Sequence, residues 1–479
     1  MGRLRGSIRS LRRFFLAGKG LSFRTGRYFI EAMFVGAATG LVVVGFRYLI
    51  NLGAEWITEG IGHHASLSRL SDGAALARFF SREALLDPHR WVMVALPAVG
   101  AVLGYLLIKW FSSVEHARGT DSAIRAYHHR SGYITSVVVP TKSVASVLTV
   151  ASGGSAGYEG PVTLIGAAVG SVIARRLQLS ARAQRILMTA GLAGGIGALF
   201  QAPLAGALFG MEIMYSSSDI AYETALPCFI SSVVSYTVFA YFFGWGSLFA
   251  MPSDCVFDSG LRLLPYFVLA LVVVFGVRFY ISTFRTIEMK FATLRLPRTA
   301  KVALGGLATG VIGLFVPDVL GTSYSIIQAS FTAGRSEFFA DYGSLTIAGF
   351  VGFFFMKAIA TSLTVGSGGS GGVFAPALVC GGTLGAAVGL FFARVLPASI
   401  GIHPAAFALV GMAGFLASAI RTPLTAIVMV AEISGNHELL APAMWVCGIS
   451  FWLNNGWTLY RSQVHSRETY VATHRGIAG

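Results

Sequence analysis

Glu159 stands in a run of small, uncharged residues, Ser152-Gly153-Gly154-Ser155-Ala156-Gly157-Tyr158-Glu159-Gly160-Pro161. The run returns as Ser367-Gly368-Gly369-Ser370-Gly371-Gly372-Val373-Phe374-Ala375-Pro376, and both copies lie in apolar sequence. A glycine-rich turn that leads at once into a helix leaves its first N–H groups unpaired at the positive end of the macrodipole, an arrangement that suits an anion. Pro161 and Pro376 fit the first turn of such helices, which supports a helix-start reading of Gly157, Gly160 and Gly372. Neither copy continues into Gly-Lys-Ser/Thr, so a nucleotide-binding phosphate loop is excluded. The chemistry left is weak, multidentate holding of a small dehydrated anion that can leave again. Glu159 adds a competitor that the second copy lacks, since Phe374 stands at its position. Ionised, its carboxylate fits the amide cradle as a tethered anion; protonated, it is released.

The elements that position these groups are also duplicated. Ile165-Gly166-Ala167-Ala168-Val169-Gly170 is answered by Thr383-Leu384-Gly385-Ala386-Ala387-Val388-Gly389, where Gly166, Gly170, Gly385 and Gly389 read as helix-packing residues. Gln201-Ala202-Pro203-Leu204-Ala205-Gly206, with Glu212 beyond it, is answered by Arg421-Thr422-Pro423-Leu424-Thr425-Ala426, with Glu432 beyond it. Glycine-rich backbone at membrane depth is tolerated only when buried in protein or lining a cavity. The two breaks therefore mark one site at a repeat interface, as in transporters built from internal repeats.

Composition agrees. With 54% hydrophobic and 12% charged residues over 479 positions, the chain reads as an all-α polytopic membrane protein. Apolar stretches recur at 28–52, 91–111, 226–243, 264–281, 302–316, 347–363 and 441–453. Several fall short of the roughly 20 residues of a full span, so tilted and broken helices are expected. The net charge of +15 is concentrated at the ends and in loops, which argues against a nucleic-acid partner. Residues 1–27 carry eight basic and no acidic residues, so the positive-inside rule predicts a cytoplasmic arm, part of it lying on anionic lipid. No cleaved signal peptide is expected there. Arg461, Arg467 and Arg475 predict a cytoplasmic C-terminus as well. The expected organisation is the arm 1–27, one membrane domain 28–465 with halves near 28–250 and 260–465, and a tail 466–479.

No cofactor or metal is expected. Cys228, Cys255, Cys380 and Cys447 are scattered, and the adjacent His128 and His129 read as a wet loop. An intramembrane serine protease built on Ser367 or Ser370 needs a facing histidine, but His403 and His437 lie in turn-like sequence, and such an enzyme has no use for the motif twice. The chain is not expected to be an enzyme.

At these residues the chain resembles the CLC family of chloride channels and chloride/proton antiporters over nearly its whole length. Gly157-Tyr158-Glu159-Gly160-Pro161 is similar to the family's Gly-Arg/Lys-Glu-Gly-Pro, with Tyr158 in place of the basic residue. Gly372-Val373-Phe374-Ala375-Pro376 matches Gly-x-Phe-x-Pro, and Tyr460 after Gly456 fits the position of a chloride-coordinating tyrosine. The resemblance implies two inverted halves, a homodimer with a pore in each subunit, and a multi-pass protein of the cell membrane. It implies chloride as the transported ion, bound by the N–H groups of Val373 and Phe374 in the Gly372 motif, by the Tyr460 hydroxyl, and by a group from the first signature. Glu159 is implied as gate and external proton carrier. The first signature, Gly-Ser-Gly-Ile-Pro, is degraded to Arg118-Gly119-Thr120-Asp121-Ser122, so either Thr120 or Arg118 takes the serine position. Where antiporters of the family carry an internal proton-transfer glutamate this chain has Ile213, beside Glu212, and both channel-like and proton-coupled behaviour stay open. A fluoride-exporting relative is disfavoured by Phe374 and Tyr460.

Overall fold

A computed structural model describes residues 27–60, 88–111, 119–217, 219–249, 251, 252, 255, 257, 259–332, 343–397 and 400–466. The expected basic arm up to residue 26, Arg118, and the tail beyond 466 lie outside the described residues. The first half contributes α1 (Arg27–Gly60), α2 (Pro88–Phe111), α3 (Thr120–His129), α4 (Val138–Ala151), α5 (Glu159–Arg176), α6 (Ala181–Leu199), α7 (Pro203–Glu212) and α8 (Ala225–Phe243). The second contributes α9 (Leu263–Thr293), α10 (Arg298–Phe315), α11 (Tyr324–Thr332), α12 (Gly343–Gly366), α13 (Phe374–Val395), α14 (Pro404–Ala419), α15 (Pro423–Ser434) and α16 (Leu440–Leu453).

The eight elements of one half answer the eight of the other in order. The turns match as well as the helices: Gln201 and Arg421, which precede α7 and α15, both take left-handed backbone, with φ of 55° and 62°. Pro203 and Pro423 then open the two helices, where a missing N–H costs nothing.

Among the described residues six helices are long and apolar enough to cross a membrane: 28–53, 94–111, 222–243, 260–293, 347–366 and 374–395. Five overlap stretches expected from hydropathy. The sixth, α13, is so rich in small residues that its apolar run reads as a packing block, and it is buried almost throughout. Conversely, 302–316 and 441–453 form helices shorter than a full span.

Within each half the motif helix packs on the helix that follows it. A Cβ at Gly170 would meet the Leu187 carbonyl and one at Gly385 the Phe407 carbonyl, so these glycines let α5 approach α6, and α13 approach α14, backbone to backbone. His128 and His129 are corrected: they end α3 rather than lie in a wet loop. His128 is buried, its Nε2 2.8 Å from the Met214 carbonyl oxygen, while His129 is exposed. The amphipathic face of a ten-residue helix outweighed the polarity of the pair.

Candidate functional site

The two glycine runs meet at the centre. Gly157 and Gly372 form an antiparallel bridge, the Gly157 N–H donating to the Gly372 carbonyl at 2.9 Å and the Gly372 N–H donating to the Gly157 carbonyl at 2.8 Å. Each run is held from the other half by the same chemistry. The Ser155 N–H donates to Thr364 Oγ1 at 3.1 Å, and the Ser370 N–H donates to Thr149 Oγ1 at 3.3 Å. The hydroxyl of Ser155 pairs with that of Thr361, and the hydroxyl of Ser370 with that of Ser146. Every such partner is 215 positions from its counterpart. Reciprocal contacts of this kind are what a two-fold axis between halves produces.

Two buried lysines obey the same spacing, Lys142 on α4 and Lys357 on α12, each 17 residues before its motif's Glu159 or Phe374 position. Lys142 Nζ donates to Ser370 Oγ at 2.9 Å. Lys357 Nζ donates to the carbonyls of Val319 and Gly321, at 3.0 and 2.8 Å. The sequence reading missed both, although a lysine inside an apolar helix is itself a signal.

The motif helices begin at Glu159 and Phe374, with Pro161 and Pro376 in their first turns. The Glu159 side chain is buried. Its Oε2 accepts from the Ala375 N–H at 3.2 Å, in the first turn of the opposing α13, and its Oε1 accepts from the Tyr324 hydroxyl. A Cβ at Gly157 would fall on the Glu159 carboxylate, and a Cβ at Gly160 would come within 2.9 Å of Gly372 Cα. Only glycine leaves room at both positions.

On the side of the bridge lined by Thr120, Gly371, Gly372, Val373 and Tyr460, a cavity of about 690 Å³ opens. Thr120 is the first residue of α3, behind Gly119 in left-handed backbone with φ of 59°. Asp121 accepts from the N–H and the hydroxyl of Ser462, which draws the chain after α16 back and sets Tyr460 near Thr120. The Tyr460 hydroxyl is buried beside the Thr120 side chain, and among the described residues no close, well-aligned hydrogen bond engages it. The N–H groups of Val373 and Phe374 donate to no backbone carbonyl in those residues either. Gly372 differs from the expectation that grouped it with them, because its N–H is already given to Gly157. Phe374 is packed by Phe200 and Phe209 of the first half, with ring centroids 5.3 and 5.7 Å away.

Glu212 stands apart from this cavity. Its two oxygens accept from the N–H groups of Leu424 and Thr425, at 3.0 and 2.7 Å, and from the Thr425 hydroxyl at 2.6 Å, capping α15. Glu432 returns the arrangement, accepting from Leu204 at 3.1 Å and Ala205 at 2.7 Å at the start of α7. Ile213 is fully buried, and its carbonyl accepts from Gln463 Nε2 at 3.0 Å.

Comparison with known proteins follows this geometry closely. Residues 99–455 match the family model described as voltage gated chloride channel. The chain is 31% identical over 361 residues to a putative chloride channel protein ClcB-like of Ralstonia nicotianae, covering 74% of this chain and 81% of that one. It is also 31% identical over 425 residues to the H(+)/Cl(-) exchange transporter ClcA of Yersinia pseudotuberculosis, covering 87% of this chain and 82% of that one. A slow cyanobacterial Cl-/H+ antiporter has the same fold, with a TM-score of 0.72 at 23% identity over 96% of this chain and 99% of that one. A CLC-type fluoride/proton antiporter shares it too, with a TM-score of 0.74 at 18% identity over 94% of this chain and 100% of that one. The doubled glycine bridge, its embedded carboxylate and the length of the family match together make this chain a member of the CLC, or voltage-gated chloride channel, family.

Proposed function

We propose that the protein carries chloride across a membrane through a pathway that Glu159 closes when ionised and opens when protonated. The observation that carries this reading is the Glu159 carboxylate on the Ala375 amide, an anion of the chain's own resting on the first turn of the opposite half's helix. A second anion approaching those donors meets a like charge until a proton removes it. The amides of Val373 and Phe374, which meet no backbone carbonyl among the described residues, and the Tyr460 hydroxyl supply donors for the ion, with Thr120 beside them. We assign the first signature's serine position to Thr120, which lines the cavity, and leave the Gly372 amide to the bridge.

Chloride in and out of the pathway needs no cofactor. Stoichiometric exchange with protons needs a second relay on the cavity side. Glu212 is committed to α15 and Ile213 is apolar, which favours flux gated by protons over coupled exchange. We also place the protein in the cell membrane with both ends in the cytoplasm, as a homodimer with one pathway per subunit.

The test is reconstitution in chloride-loaded liposomes with chloride and proton movement recorded together. Chloride efflux that rises as external pH falls, with no uphill proton uptake, is expected. Glu159→Gln should remove the pH dependence while flux persists; a pH response equal to that of the native chain would sink the gate.

A further inference from the structure

We propose that Tyr324 is the latch of the gate: its phenol holds the ionised Glu159 carboxylate in the pathway and thereby sets the external pH at which the pathway opens. The inference rests on the gate reading above and adds to it a second residue, from the other half of the chain, that positions the gate without being a proton carrier.

Three observations bring Tyr324 to this role. The first is contact, since the Tyr324 hydroxyl donates to Glu159 Oε1 while the Ala375 amide donates to the other oxygen, so the carboxylate is gripped at both ends. A hydrogen bond to an ionised acceptor is roughly twice as strong as a neutral one and favours the charged form.

The second is how firmly the phenol is placed. Tyr324 opens α11 and is preceded by Ser323, whose backbone is left-handed with φ of 61°. Ser323 Oγ donates to the Asp318 carbonyl at 2.6 Å, Lys357 Nζ donates to two carbonyls of the same loop, and the Ala156 N–H donates to the Gly321 carbonyl at 3.3 Å. The loop that carries the latch is thus clasped to the glycine run that carries the gate. Phe249 meets the Tyr324 ring edge-on at 5.6 Å and fixes its direction.

The third is the repeat. Tyr324 answers Thr120: each is the first residue of the third helix of its half, behind a residue with φ near 60°. The position that offers a hydroxyl to the cavity in the first half offers one to the carboxylate in the second. Among the described residues, the other titratable or charged groups whose fields reach Glu159 or Tyr324 are Arg47 of α1, Tyr158 beside the gate, Tyr280 of α9, Lys357 of α12 and Tyr460. Among the described residues none of these donates a hydrogen bond to the carboxylate, which separates the latch from its surroundings.

The test compares chloride efflux against external pH for the full chain in liposomes, as native protein, Tyr324→Phe, Glu159→Gln and the double variant. Tyr324→Phe keeps the ring against Phe249 and removes one donor from the charged gate. Flux should then half-activate at a pH about one unit higher than in the native chain. Fluorotyrosine placed at 324, a stronger donor, should move the midpoint the other way, a reversal that a packing role does not produce. The double variant should match Glu159→Gln. A native midpoint for both Tyr324 replacements, with Glu159→Gln independent of pH, overturns the latch and leaves the gate standing. Retained pH dependence in Glu159→Gln overturns the gate and the latch with it.

Discussion

At the scale of single residues, the pathway depends on which polar groups are left unengaged and which are occupied. Among the described residues the buried Tyr460 hydroxyl has only Thr120 beside it and no well-aligned acceptor, an arrangement that is costly unless something else accepts a hydrogen bond from it. Tyr460→Phe should therefore weaken chloride binding about tenfold, read by titration calorimetry of the purified protein. Lys357 is the opposite case, a buried amine satisfied by loop carbonyls. Lys357→Met should strip Val319 and Gly321 of their donor and lower stability by about 2 kcal/mol, visible as an earlier thermal unfolding in detergent. Glu159 and Tyr460 were legible in the sequence because each sits in or after a glycine signature. Tyr324 was not, since an aromatic residue at the start of a short helix carries no mark of what its hydroxyl meets 165 positions away. The lysines were legible in principle, and their common distance from the motif would have exposed them as a pair.

At the scale of elements, the short proline-led helices explain the two acids that close them. Glu212 ends α7 and caps α15, and Glu432, in the last turn of α15, caps α7, so each carboxylate lies at the positive end of the other helix's macrodipole. Glu212→Ala should cost about 1–2 kcal/mol of stability and leave the proton-to-chloride ratio of the native chain unaltered, measured by thermal unfolding beside paired flux recordings. A change in the ratio without a change in unfolding would give Glu212 back the proton path. The repeated acids were visible in the sequence, but their exchange of caps was not, because the spacing along the chain does not tell which helix start faces which helix end. The sixth span was obscured for a related reason. The glycines that allow α13 to bury itself are the residues that dilute its apolar pattern, as the contact of Gly385 with the Phe407 carbonyl makes plain.

At the scale of the whole molecule, the cavity is a charged funnel as well as a space. Arg125, Arg298, Lys301 and Arg461 line it against Asp121 and Glu288, with Arg461 and Glu288 paired at 2.9 Å. An excess of cations in a walled cleft raises the local anion concentration. Arg298→Glu should slow chloride entry from that side several-fold at low ionic strength, and the loss should fade toward about 0.15 M salt, where the screening length is ~8 Å. Fold class and repeat were legible from composition and the doubled motif, whereas this asymmetry of charge arises only when loops from both halves converge. The exchange of hydrogen bonds between two runs that lie 215 residues apart also has a consequence in time. Ser155 and Gly157 leave the ribosome long before Thr364 and Gly372 exist. At ordinary rates of synthesis, the first half waits about 10 to 40 seconds in the bilayer for the groups that satisfy its bare backbone. Insertion of this chain is therefore a problem of shelter before it is a problem of packing, and any helper protein would be needed most between the two glycine runs.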